Sequence, residues 1–135
     1  MDDRTNAALA AYEAALNEPE VDRRAELVAA ALTEDARVYA AHLADSPTLD
    51  RDAFAADCGV VQGWRPPEAT LRRRGEVDGH HEWIRFAWVV ATPDGEVIEV
   101  GGARIEGVDV VELAPDGRFR GVVVFRGVAP EGGLE

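Results

Sequence analysis

The chain contains no lysine and a single cysteine, Cys58, among its 135 residues. One thiol rules out an internal disulfide, so the core must hold the fold, and the usage fits a reducing cytoplasm. No stretch approaches the ~20 consecutive apolar residues of a membrane-crossing helix, and no membrane partner is expected. Positive charge is scarce: fourteen arginines face 26 acids, for a formal charge of −12. Such a chain repels phosphate backbones, which argues against nucleic acid as a partner. The start, Met1-Asp2-Asp3-Arg4, is acidic and leads straight into a helical pattern, so no signal peptide is expected.

What is present supports one ordinary domain. Hydrophobic residues make up 47% of the chain, and a domain of this length buries roughly two-thirds of its unfolded surface. The bias to Ala, Arg, Gly and Val is that of a GC-rich coding sequence and concerns ancestry, not mechanism. Leu9, Tyr12 and Leu16 recur at helical spacing and predict a helix over 6–16. Asp22 is placed to cap a second helix that buries Leu27, Val28, Ala31 and Leu32 and ends at Thr33-Glu34-Asp35. A short strand is expected over 36–42. A third helix follows, capped by Thr48 or Asp50 and running to about Cys58, and Gly63-Trp64-Arg65-Pro66-Pro67 closes the helical half.

From Ala69 the period becomes two. Strands are expected over 71–77 and 82–91, with a turn at Asp78-Gly79 between them. Ile84, Phe86, Trp88 and Val90 share one face of the second strand, and Trp83, Arg85, Ala87 and Val89 share the other. Both faces carry large apolar groups, so both should be covered, one by the helices and one by a second subunit. After Thr92-Pro93-Asp94-Gly95 a strand returns over 96–113, with Gly101-Gly102 and Gly107 read as bulges. A last strand spans 118–126. Helices first and a meandering antiparallel sheet afterwards give an α+β fold.

The strand pair around Pro115-Asp116-Gly117 holds the most informative residue. Asp109 sits among Val108, Val110 and Val111, where a bare charge is too costly, so it must be paired, hydrogen-bonded or protonated. With a bulge after Ala114 it shares a face with Phe119, Val123 and Phe125. Without one it shares a face with Val122 and Val124.

Several local words, in this order, resemble the nuclear transport factor 2-like superfamily, including the SnoaL-like polyketide cyclases and the ketosteroid isomerases. They are 12–17 beginning at Tyr12, 32–38 beginning at Leu32, 85–88 beginning at Arg85, and Val108-Asp109 followed by Asp116-Gly117-Arg118. The resemblance covers about 8–125. It implies a cone-shaped fold of three N-terminal helices on a strongly curved antiparallel sheet, a pocket for a small apolar or polyketide-like molecule, and a homodimer through the outer sheet face. In ketosteroid isomerases a tyrosine of the first helix and a protonated acid on a late strand form an oxyanion hole. Tyr12 and Asp109 fall on those positions, while the general base falls on Ala40, which cannot take a proton.

If position 40 faces the pocket, Val38 and His42 share its side of the strand. The candidate chemistry is then Tyr12 and protonated Asp109 stabilising an enolate while His42, or Asp45 in the next loop, moves the proton. Ile84, Phe86, Trp88, Val111, Val122 and Val124 are the expected apolar wall, together with Val38 and Ala40. Plainer readings stand beside these. Asp109 can be a structural acid paired with Arg104 or Arg85, or bound to backbone amides. Tyr12 can be core packing, and His42 a rim residue. His80 and His81 are a poor metal pair, the arginines 72–74 read as a ladder balancing Glu96 and Glu99, and Cys58 reads as a small buried hydrophobe. No cofactor or metal is expected. Two functions remain: a cofactor-free acid–base isomerase, cyclase or hydratase on a carbonyl-containing apolar compound, and a non-catalytic ligand-binding or dimerisation module.

Overall fold

The computed structural model describes residues 1–40 and 48–127. Helix α1 spans Asp3–Asn17, opened by Asp2, whose carboxylate accepts from the Thr5 amide at 2.9 Å. It begins earlier than the apolar spacing predicts because this cap lies upstream of the first buried leucine. Thr5, Ala8, Leu9, Tyr12 and Ala15 form its buried stripe. Helix α2, Val21–Ala31, is capped by Glu20 and not by Asp22: the Glu20 side chain accepts from the amides of Asp22 and Arg23. Asp22 instead lies in the first turn, where the helix dipole favours an acid.

No loop follows α2. Strand β1, Leu32–Tyr39, begins at once and takes in 33–35, which the sequence assigns to a helix end. Leu32, Ala36 and Val38 are fully buried, and that burial draws the chain into the sheet early. Helix α3, Arg51–Gln62, is capped by Asp50, whose side chain accepts from the Ala53 amide at 2.8 Å. It runs past Cys58 to Gln62 and stops at Gly63.

The sheet has five strands in the order β1-β7-β6-β3-β2, with β2 Thr70–His80, β3 Trp83–Ala91, β6 Glu106–Leu113 and β7 Phe119–Arg126. Its β7-β6-β3-β2 part is antiparallel, as expected, but β1 lies parallel to β7 and makes the sheet mixed. The reason is the chain path: β1 arrives from α2, not through a hairpin. The β2–β3 turn sits at His81-Glu82, with His81 at φ 57°, and not at Asp78-Gly79. Asp78 stays in the ladder opposite Arg85 and pairs with its guanidinium at 2.9 Å, past a register shift between Arg74 and Asp78.

Gly101-Gly102, read as a bulge, is the turn of a separate two-stranded hairpin, β4 Glu99–Val100 with β5 Ala103–Arg104. Both glycines have positive φ, which suits a tight hairpin turn. This hairpin leaves β3 and rejoins the sheet through Ile98 and Ile105, whose backbones bond to Val90 and to each other. Asn17 ties α1 to the edge of β2: its side-chain amide donates to the Leu71 carbonyl at 2.7 Å and accepts from the Leu71 amide at 2.8 Å. The helices pack on the inner sheet face around Leu9, Val28, Leu32, Val38, Val111, Phe119 and Val122.

Gly107 is no bulge either. It pairs with Trp88 on one side and Arg126 on the other, and a Cβ here would lie 2.2 Å from the Phe125 carbonyl oxygen and 2.5 Å from the Trp88 ring. The missing side chain is the space the indole occupies. Gly107→Ala is therefore expected to destabilise the fold by about 2 kcal/mol or more and to displace Trp88, read as a lower urea midpoint together with altered tryptophan fluorescence.

Candidate functional site

Asp109 stands opposite Val124 on β7 and opposite Phe86 on β3, so it points to the inner face with Val111 and Val122. A register shift between Glu112 and Leu113 does exist and brings Phe119 to that face as well, but it lies beyond the site. Val124 is the neighbour of Asp109, while Phe125 points outward and is 51% exposed.

Asp109 is 3% exposed, and among the described residues each carboxylate oxygen accepts one hydrogen bond. The Tyr12 hydroxyl donates to Oδ2 at 2.8 Å and the Trp88 indole Nε1–H donates to Oδ1 at 2.9 Å. No arginine touches it. Arg104 pairs with Glu106 at 3.1 Å and Arg85 with Asp78, which disposes of the expected ion-pair alternatives. Desolvation pushes the Asp109 acid up to about 7, and the two donors oppose that rise without cancelling it. Tyr12 is held well above the usual phenol range by burial and by the neighbouring carboxylate, so it stays a protonated donor. Its ring stacks on Phe54 of α3 at 5.7 Å and meets Phe86 edge-on at 6.1 Å, which fixes where the hydroxyl points.

Tyr12, Trp88 and Asp109 border a cavity of about 360 Å³ between the helices and the sheet. Of the residues expected on its wall, Val38, Ala40, Trp88 and Val124 are there. Ile84, Phe86, Val111 and Val122 are not: they are almost fully buried against the helices and fill the core, because they stand nearer the end of the sheet that the helices cover. The apolar wall is completed by Leu16, Phe54, Val61 and Val90, and by Ile98 and Ile105 at the base of the small hairpin. Alternation with Trp88 points to Val90, but the hairpin's contribution has no local signal. His42 and Asp45 lie outside the described residues. Ala40 faces the cavity, so the position where the resemblance expects a base carries only a methyl group.

The donor role of Trp88 went unread in the sequence, where it counts as apolar lining. Trp88 pairs with Gly107, and Phe86 pairs with Asp109, so Trp88 is the diagonal neighbour of the acid, within reach of a long side chain. The other candidates resolve plainly. Cys58 borders the cavity, but burial pushes its thiol up to about 12 and it is not a nucleophile. The arginine ladder does not meet Glu96 or Glu99: Arg73 pairs with Glu13, Arg74 with Glu106, and Arg72 donates to the Thr92 carbonyl. Glu99 lies in the small hairpin opposite Arg104 and Glu96 lies outside the strands, so neither stands beside β2 in the ladder. The rings of His80 and His81 lie 4.3 Å apart at the β2–β3 turn. Among the described residues no group of three or more His, Cys, Asp or Glu side chains is placed to hold a metal ion. No helix among them is long and apolar enough to cross a membrane.

No family model and no curated protein sequence matches the chain. Solved structures do. A candidate isomerase of the SnoaL-like family from Agrobacterium tumefaciens is 28% identical, with 93% of this chain and 98% of that one covered at a TM-score of 0.73. A steroid delta-isomerase from Pseudomonas aeruginosa is 13% identical over 99% of this chain and 85% of its own, at a TM-score of 0.63. An epoxide hydrolase/cyclase-like enzyme, SalBIII, described in pyran ring formation in the polyether salinomycin, is 19% identical over 92% and 91%, at a TM-score of 0.58. The fold is thus the α+β cone of the nuclear transport factor 2-like superfamily, with a mixed five-stranded sheet that is not closed. Within that superfamily the neighbours are consistent with the SnoaL-like branch.

A raised acid lowers stability as it ionises. Asp109 binds its proton up to about pH 7 when folded but only to about pH 4 when unfolded. Its contribution is therefore favourable in acid and lost as pH rises through 7. The stability of Asp109→Asn relative to the wild type should climb between pH 5 and 7 by roughly 1 kcal/mol per pH unit and then level off, as read by urea denaturation. A flat difference would mean the acid is not perturbed.

Proposed function

We propose that this protein binds a small, largely apolar carbonyl compound in the cone and moves a proton on it, as a cofactor-free isomerase, cyclase or hydratase. The observation that carries the reading is a carboxylic acid with its proton affinity near neutrality, held by a phenol in the wall of an apolar cavity. A general acid–base group works best when its pKa lies near the working pH. Ionised Asp109 takes a proton from carbon α to the carbonyl, the developing enolate oxygen receives the Tyr12 hydrogen bond, and Asp109 returns the same proton elsewhere on the molecule. One carboxyl then serves as base and acid in turn, with no group needed at Ala40.

The two donors have separate parts in this scheme. Trp88 keeps Oδ1 in place throughout. Tyr12 lowers the proton affinity of Asp109 while it bonds to it, so a carbonyl that recruits the phenol leaves the carboxylate a stronger base at the moment one is needed. Hydrogen bonds aimed at a developing oxyanion are worth ~3–4 kcal/mol each. The isomerase and cyclase-like neighbours support the class of chemistry and leave the substrate open.

A second reading, a ligand-binding or dimerisation module without catalysis, is favoured by the methyl group of Ala40 in the wall. Both readings include a homodimer through the outer sheet face, where Tyr39, Trp83 and Phe125 are exposed, and a cytoplasmic setting. Phe125→Glu is then expected to shift sedimentation from dimer to monomer.

A phenolic probe, 2-naphthol, tests the site. The neutral phenol donates to ionised Asp109 and accepts from Tyr12, so calorimetric affinity should rise with pH through about 7. Tyr12→Phe should weaken binding by about 10-fold or more, and Asp109→Asn should abolish the rise. Binding indifferent to pH, or unchanged in Tyr12→Phe, sinks the proposal.

A further inference from the structure

We infer that the mouth of the cavity is an anion subsite, and that the ligand is an apolar keto acid whose carboxylate sits between Arg65 and Arg126. The inference rests on the carbonyl-binding reading above and names the far end of the same molecule.

The cavity is polar at two places and apolar between them. Inside are Tyr12, Trp88 and Asp109. At the rim are Asp57, Arg65 and Arg126, beside Trp64 and Val100, which are 63% and 57% exposed. Arg126 follows Val124 by two residues on the same inward face of β7, about 7 Å along the strand from the residue paired with Asp109. Its side chain borders the cavity and is open to solvent.

Arg65 comes from the opposite wall. It follows α3, and its guanidinium is anchored at 2.8 Å to the Asn17 side-chain oxygen and at 2.5 Å to the Leu16 carbonyl. Asn17 in turn is bonded to Leu71 on β2, three strands from β7 in the sheet order. Seven of the fourteen arginines have acids among the described residues: Arg23, Arg73, Arg74, Arg85, Arg104, Arg118 and Arg120 are each within 3.2 Å of one. Arg65 and Arg126 have no carboxylate partner among the described residues.

Both border the same cavity, in a chain whose acids outnumber its arginines 26 to 14. The Arg65 charge is partly desolvated, which lowers its proton affinity and favours an anion beside it. A rigidly anchored guanidinium loses little further side-chain entropy on binding a carboxylate, and its planar donor edge suits one. Asp57 lies on the same rim and opposes an anion, but the two guanidinium groups outnumber it.

The test uses an aryl keto acid, 6-oxo-6-phenylhexanoate, against its primary amide, which keeps the ketone and the shape but removes the charge. Isothermal titration of the full chain should give the acid at least about 10-fold tighter binding at low salt. Added salt should narrow the gap. Arg126→Gln should shrink it by weakening the acid more than the amide, and Arg65→Lys should shrink it further. Arg126 lies at the rim and bonds to no other side chain among the described residues, so its replacement keeps the test valid if the Arg65 variant loses stability. Equal affinity of acid and amide overturns the anion subsite and leaves the carbonyl site standing. A preference that survives Arg126→Gln and Arg65→Lys overturns the assignment to these residues. Binding of neither compound overturns both readings.

Discussion

A buried carboxylic acid that meets, among the described residues, two neutral donors and no cation is the constraint on which the rest of the molecule depends. Desolvation penalises the charged form of Asp109 more than the bonds from Tyr12 and Trp88 relieve it, so the acid settles near neutrality. An arginine in contact would have made it an ordinary carboxylate, and a third donor would have moved it the same way. The molecule spends stability at this point, since the unfolded chain ionises the acid freely. Residues that hold energy-costly groups in defined geometry are where function is expected to lie.

The architecture around the acid consists of parts that keep that geometry. α1 supplies the phenol, and its ring is wedged against Phe54 and Phe86. β3 supplies the indole, which lies where Gly107 has no side chain. β6 supplies the acid, and Asn17 fastens α1 to the sheet edge through Leu71. Helix α1 and strands β3 and β6 are thus tied through one small polar cluster. The cavity remains open because the large apolar residues nearest the helices, Ile84, Phe86, Val111 and Val122, fill the covered end and leave the other end to Val90, Ile98 and Ile105.

Glu106 marks a contrast within the same strand. It is as buried as Asp109, yet Arg74 and Arg104 stand at 3.2 and 3.1 Å from it. Three residues apart, one acid is neutralised by charge on the outer face and the other is left to neutral donors on the inner face. The first fastens the small hairpin to the sheet; the second faces the cavity. The same residue type carries opposite physics because strand alternation and its neighbours differ.

The residue pattern alone determined that helices precede a sheet, that Ile84, Phe86, Trp88 and Val90 share a buried face, and that Asp109 is an acid in an apolar strand. Those are local properties, set by period, by turn chemistry and by the cost of burying charge. The resemblance added the pairing of position 12 with position 109, which no spacing encodes across ninety-seven residues. Tertiary structure decided the rest. It moved a cap from Asp22 to Glu20, and a turn from Asp78-Gly79 to His81-Glu82. It turned a suspected bulge at Gly101-Gly102 into a hairpin, and it laid β1 parallel to β7. It also made Trp88 a hydrogen-bond donor and withheld arginine from Asp109. Each of these depends on which distant group arrives next to which, and contact between residues far apart in the chain is fixed by packing, not by the neighbours in sequence.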